Sequence, residues 1–103
     1  MGSEWVDHES WELVDEASQA CGRDISQLLL QADAEELKQT RNSQLTTFVL
    51  SMVVLDAVER TGVAPNLTAG HSLGEYSALC ASGALSFEDA VRLVAERGEA
   101  MQV

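Results

Sequence analysis

Between residues 66 and 82 the chain passes from an extended stretch through a glycine-flanked serine into a helix, and this succession constrains the fold more than any other feature. Asn66-Leu67-Thr68-Ala69 reads as a short strand. It runs straight into Gly70-His71-Ser72-Leu73-Gly74, and a helical pattern over residues 75–82 follows, stopped by Gly83. Gly-x-Ser-x-Gly between a strand and a helix is the pattern of a nucleophile elbow. Such a serine sits on a sharp turn with strained backbone angles, so that its hydroxyl points outward. Side chains two residues before and after it would collide where strand and helix cross, and Gly70 and Gly74 are expected to remove that collision. The helix starts at the serine, so its free N–H groups and positive end face a reacting carbonyl. The Leu73 N–H is the expected oxyanion donor, a contact worth about 3–4 kcal/mol in a transition state. A chance match to the five residues in a chain of this length is on the order of 3%, so the placement carries more weight than the pattern. Without that placement, Ser72 would read as a capping serine in a turn.

The rest of the chain reads as helix. Ser10 is a possible cap for a helix reaching Cys21, with Trp11, Val14, Ala17 and Cys21 on one face and Gly22 as its stop. Residues 25–30 offer one or two helical turns, and Asp33 with Glu36 reads as a capping box. The clearest helix covers residues 43–60, where Leu45, Phe48, Val49, Met52 and Leu55 form an apolar stripe that Val53 and Val54 widen. A helix apolar around most of its girth is expected to pack on two sides. Gly62 ends it, and Val63-Ala64-Pro65 is a turn. Ser86, with Asp89, caps a last helix whose inner face holds Phe87, Val91, Val94 and Met101. The one strand in this reading lacks a partner for its backbone groups. The expected fold class is therefore α/β, mostly helical here, with one short strand leading into the elbow.

Charge excludes some functions. Seventeen acids stand against six bases, a net charge of −11, and residues 1–36 hold ten acids and the single base Arg23. A nucleic-acid binder would show a basic stripe, and there is none. The longest uncharged apolar run, Leu45 to Leu55, is 11 residues, too short to span a bilayer. With no apolar leader at the amino terminus, the expectation is a soluble, cytoplasmic protein. Cys21 and Cys80 lack zinc spacing and read as two free thiols, Cys80 as a small core residue. No metal or cofactor is implied.

A serine nucleophile needs a base. The chain has two histidines. His71 adjoins Ser72 and points away from it on an elbow, so it reads as a brace or packing residue. His8 reads as a surface residue in the acidic amino-terminal stretch, and no histidine follows Ser72.

Residues 70–79, Gly-His-Ser-Leu-Gly-Glu-Tyr-Ser-Ala-Leu, resemble the active-site segment of bacterial malonyl-CoA:acyl-carrier-protein transacylases, shared in part by the acyltransferase domains of polyketide synthases. Val91-Arg92-Leu93-Val94 with Arg97-Gly98 and Met101 resembles that family's next helix, and Gln44 stands where the family has a glutamine opening its long helix. The resemblance covers nearly the whole chain. It implies an α/β-hydrolase-like acyltransferase core, of which residues 1–103 form a partial catalytic domain. It also implies that Ser72 takes a malonyl group from malonyl-CoA and passes it to the phosphopantetheine thiol of acyl carrier protein, in fatty-acid or polyketide synthesis. Arg97 would then pair with the malonyl carboxylate, a role that suits the planar guanidinium fork, and Gln44 would approach the site. Taken without the family, Arg97 reads as an exposed helix charge. The family's catalytic histidine, its Pro-Gly-Gln-Gly-type oxyanion loop and its small subdomain have no counterpart in these residues, so the chain is expected to be inactive alone. Leu45 replaces the proline that usually follows the glutamine. No basic patch for an acidic carrier protein is visible. The alternative readings are a serine ester hydrolase with the same elbow, and a non-catalytic fragment or interaction domain.

Overall fold

Helix α4, Thr40–Glu59, organises the molecule, because its apolar stripe is where the other helices gather. The computed structural model describes residues 2–63 and 65–102; Ala64, in the predicted turn, lies outside the described residues. Before α4 come two single turns, Ser3–Trp5 and Glu9–Trp11, and the helices α1 (Glu12–Cys21), α2 (Ile25–Leu30) and α3 (Ala34–Lys38). After it come α5 (Gly74–Ala81) and α6 (Phe87–Met101).

The core follows the predicted periodicity. Val14 and Ala17 of α1, Ile25 of α2, Leu45, Phe48, Val49 and Val53 of α4, and Ala90, Val91 and Val94 of α6 are all fully buried. Phe48 stacks on Phe87 of α6, ring centroids 6.1 Å apart. Burying a side chain of this size contributes roughly 1.5–3 kcal/mol. Leu45 belongs to this core. Packing is nevertheless one-sided. Val54 and Val58 are exposed, and Thr47, Leu50, Ser51 and Val54 line an open groove on the other face of α4.

Caps follow local chemistry. Asp24, Asp33 and Ser86 accept from the N–H groups of Gln27, Glu36 and Asp89 at the starts of α2, α3 and α6. Ser10 does not cap α1. It is buried, and its hydroxyl donates to Asp56 Oδ2 of α4 at 2.7 Å. The cap of that first turn is His8, exposed, whose Nδ1 accepts from the Ser10 N–H. Asp56 also receives Arg60, which reaches Glu9 and Glu12 as well. Its carboxyl is held below the ordinary carboxylate value, first by the Ser10 hydroxyl and then by Arg60.

Three further expectations need correction. The described residues contain no strand: residues 66–69 enter no ladder, because a ladder cannot form without a neighbour. Met101 is 48% exposed rather than on the inner face. Gln102, next to it, reaches the first turn of α4, so the end of α6 has run past the stripe it packs on. Cys80 is half-buried rather than in the core. It packs against that core, and burial raises its thiol pKa, with Glu88 and Glu59 adding to the effect. Cys21 and Cys80 are both free thiols. No helix among the described residues is long and apolar enough to cross a membrane.

Candidate active site around Ser72

The segment leading to Ser72 is held by two local contacts. The Thr68 hydroxyl donates to the Ala78 carbonyl at 2.9 Å, tying the extended stretch to α5. At Gly70, a Cβ would lie 2.0 Å from the Gly74 carbonyl oxygen and 2.1 Å from its carbon. The chain therefore folds back on the start of α5 at a distance that no other residue permits. Gly74 differs from its expected part. A Cβ there would meet nothing within 4 Å, because the collision is between the Gly70 side-chain position and the Gly74 backbone, and not the reverse.

Ser72 sits inside this bend with φ 57°, the only non-glycine among the described residues with a left-handed backbone. Such a conformation costs about 1–3 kcal/mol and persists where the surroundings over-determine it. Three successive tight bonds follow: Gly74 N–H to His71 O, Glu75 N–H to Ser72 O, and Tyr76 N–H to Leu73 O, each 3.0 Å. They wind the chain directly into α5. The Leu73 N–H, one residue before this series, has no acceptor among the described residues. Ser72 itself is exposed.

Arg97 comes to Ser72 from α6. Its Nη2 donates to Ser72 Oγ at 2.9 Å, and its Nη1 donates to Gln44 Oε1 of α4. Three residues far apart in sequence thus meet through one guanidinium. The approach depends on Gly98, where a Cβ would lie 2.9 Å from the Arg41 Cα. Two helix backbones pass this closely only where one of them lacks a side chain. Next to that crossing, Arg97 reaches Gln44. Sequence reasoning quoted Gly98 without giving it a part. An interior helix glycine costs about 1 kcal/mol relative to alanine, a signal of close packing. Tyr76 was also missed. Its ring lies under the Arg97 guanidinium, 5.7 Å from centroid to central carbon.

His71 is exposed, and its ring makes no hydrogen bond among the described residues, so the bracing bond is not formed. His8 is engaged in capping the turn before α1. No described group of His, Cys, Asp or Glu has the arrangement of a metal site. Hollows flank the extended stretch, one of about 410 Å³ on the α4 side and one of about 630 Å³ beside Asn66, Gly70 and Leu79, and Ser72 lines neither. Ser72 stands in the open beside the Arg97 guanidinium rather than in a pocket.

Comparison with known proteins shows the family. The family model for the acyl transferase domain matches residues 1–103. The malonyl CoA-acyl carrier protein transacylase of Bacillus subtilis (strain 168) is 51% identical over 89 residues, covering 86% of this chain and 28% of that protein. A solved acyl-carrier-protein S-malonyltransferase from Burkholderia pseudomallei 1710b superposes with a TM-score of 0.89 at 42% identity, over 96% of this chain and 33% of that one. A malonyl-transacylase solved in complex with a type II polyketide acyl carrier protein gives 0.83 at 40% identity, over 90% and 30%. The chain thus spans about 28% of the length of the curated relative. On the family match over its whole length, the chain belongs to the acyl transferase domain family.

Proposed function

We propose that this chain is the nucleophile-bearing part of a malonyl-CoA:acyl-carrier-protein transacylase, with residues 66–82 as its nucleophile elbow. The observation that carries the reading is Arg97 donating to Ser72 Oγ while anchored on Gln44. Ser72 Oγ attacks the thioester carbon of malonyl-CoA. Its proton goes to a base, the developing oxyanion takes the Leu73 N–H, and the C–S bond breaks to release the CoA thiol. The malonyl carboxyl carbon then stands three bonds from Oγ, about 3–4 Å at ordinary bond lengths. Arg97 is within reach of it without leaving Gln44. An acetyl group offers that guanidinium nothing, so the site discriminates by charge. The carrier's phosphopantetheine thiol attacks the ester in a second, equivalent step and regenerates Ser72.

Neither histidine can serve as the base, since His8 is engaged elsewhere and His71 makes no bond to Ser72 Oγ. The reaction therefore draws its base from outside these residues. The fold reading extends in the same way. Residues 66–69 are one strand of an α/β-hydrolase-like sheet whose other strands lie beyond this chain, and the open space on both sides supports this. Arg60, Arg92 and Arg41 are paired with carboxylates of the chain itself.

The full-length protein carrying this chain, incubated with malonyl-CoA and digested, is expected to yield a malonyl ester on the peptide containing Ser72. Label on a different residue, or equal labelling by acetyl-CoA, would refute the assignment. Equal labelling would favour the ester hydrolase, for which Arg97 has no use.

A further inference from the structure

We infer that Tyr76 is a positioning residue for Arg97 and, through it, sets the preference for an acidic acyl group; the inference rests on the transacylase reading above. The guanidinium has three contacts in the site: Nη1 on Gln44, Nη2 on Ser72 Oγ, and the Tyr76 ring beneath its central carbon at 5.7 Å. That distance lies within the range of about 6 Å at which an aromatic face attracts a cation. Two hydrogen bonds at one end of a planar group leave it free to swing about the line joining them. An aromatic face within cation–π range of the guanidinium restrains that freedom.

The contacts are not equally durable. Once Ser72 is acylated, its oxygen becomes an ester oxygen and a poorer acceptor, so the bond to Arg97 weakens when the malonyl carboxylate needs it most. Gln44 and Tyr76 are untouched by the chemistry. Tyr76 is also tied to the nucleophile, since its N–H closes the last of the tight bonds that wind residues 71–76. The ring and the hydroxyl therefore keep their spacing, and Arg97 spans both. The exposure of Ser72 strengthens the argument. Water competes for a guanidinium on an open surface, and an aromatic face lowers that competition on one side.

The test uses the full-length protein, with Tyr76 replaced by Phe and then by a series of increasingly fluorinated phenylalanines. Fluorination drains the negative face of the ring at nearly constant shape, so folding is preserved. KM and kcat are measured with malonyl-CoA and acetyl-CoA. Tyr76→Phe is expected to keep the malonyl preference. The fluorinated series should lose it stepwise, by about 2- to 30-fold in total, through KM for malonyl-CoA, with acetyl transfer unchanged. Tyr76→Leu should match the end of the series. A flat series, or malonyl and acetyl rates falling in parallel, overturns the inference while leaving the transacylase reading intact. A wild-type protein that does not malonylate Ser72 overturns both.

Discussion

The four-helix core and the arm spanning residues 65–82 are built on opposite terms. In the core, ten or more apolar side chains are buried, and α2 and α6 are capped by the residue that precedes them. In the arm, Leu67 is 90% exposed, α5 buries no side chain completely, and the extended stretch lacks a partner. Yet the arm carries the strained serine, and the core supplies Arg97 and Gln44 to meet it. Stability and reactivity are thus drawn from different parts of one short chain. A rigid core can hold a charge in place, and a lightly packed arm can present a hydroxyl at its surface.

The contrast can be broken most severely at Phe48. Phe48→Ala should lower stability by about 3–5 kcal/mol, read by urea unfolding. A loss under 1 kcal/mol would mean that the core is not the stable half.

Gly70→Ala tests the arm. The overlap with the Gly74 backbone forces the bend open, so the Ser72–Arg97 contact and any malonyl labelling should be lost. The unfolding midpoint should fall less than in Phe48→Ala, since the arm yields and the core does not. Gly74→Ala is the matched control. Its Cβ meets open space, and a more helix-favouring residue at the first position of α5 should be neutral or raise stability by up to about 1 kcal/mol.

Asp56 links the core to pH. Its pKa is lowered in the fold, so its contribution is complete above the ordinary carboxylate value and drains away as pH falls through the lowered one. Glu16, raised by burial and then by Glu88, acts in the opposite sense. The comparison of Asp56→Asn with the parent isolates the first effect. The variant should lose roughly 1–2 kcal/mol at pH 7, and the difference should shrink toward acid, as followed by thermal unfolding from pH 7 to pH 3. A constant gap would contradict this account.

The smallest effect belongs to Leu67. Leu67→Ser should change the stability of this chain by under about 0.5 kcal/mol, by the same unfolding measurement. In the full-length protein the same change should be costly if residues 66–69 enter a sheet.

Much of this was legible from residues alone. Apolar spacing located α1, α4 and α6, because helical periodicity is a local property that packing then exploits. Asp33 and Ser86 cap as read, since a cap needs partners two or three residues away. Ser10 was misread for the same reason: its partner, Asp56, lies 46 positions on, and no local rule sees it. The predicted strand failed because pairing is not local either. For the site, the decapeptide and Arg97 pointed to the residues through likeness to a family. Their meeting depends on Gly98 crossing Arg41.

Sequence by itself determined which segments are helical, which faces are apolar, and that a serine would stand between two glycines at the head of a helix. Those are consequences of backbone sterics and short-range hydrogen bonds. Tertiary structure alone decided that Arg97 reaches both Ser72 and Gln44, and that Tyr76 lies beneath the guanidinium. The reason is physical: each of these depends on distances between elements far apart in the chain, which are set only when α4, α5 and α6 pack.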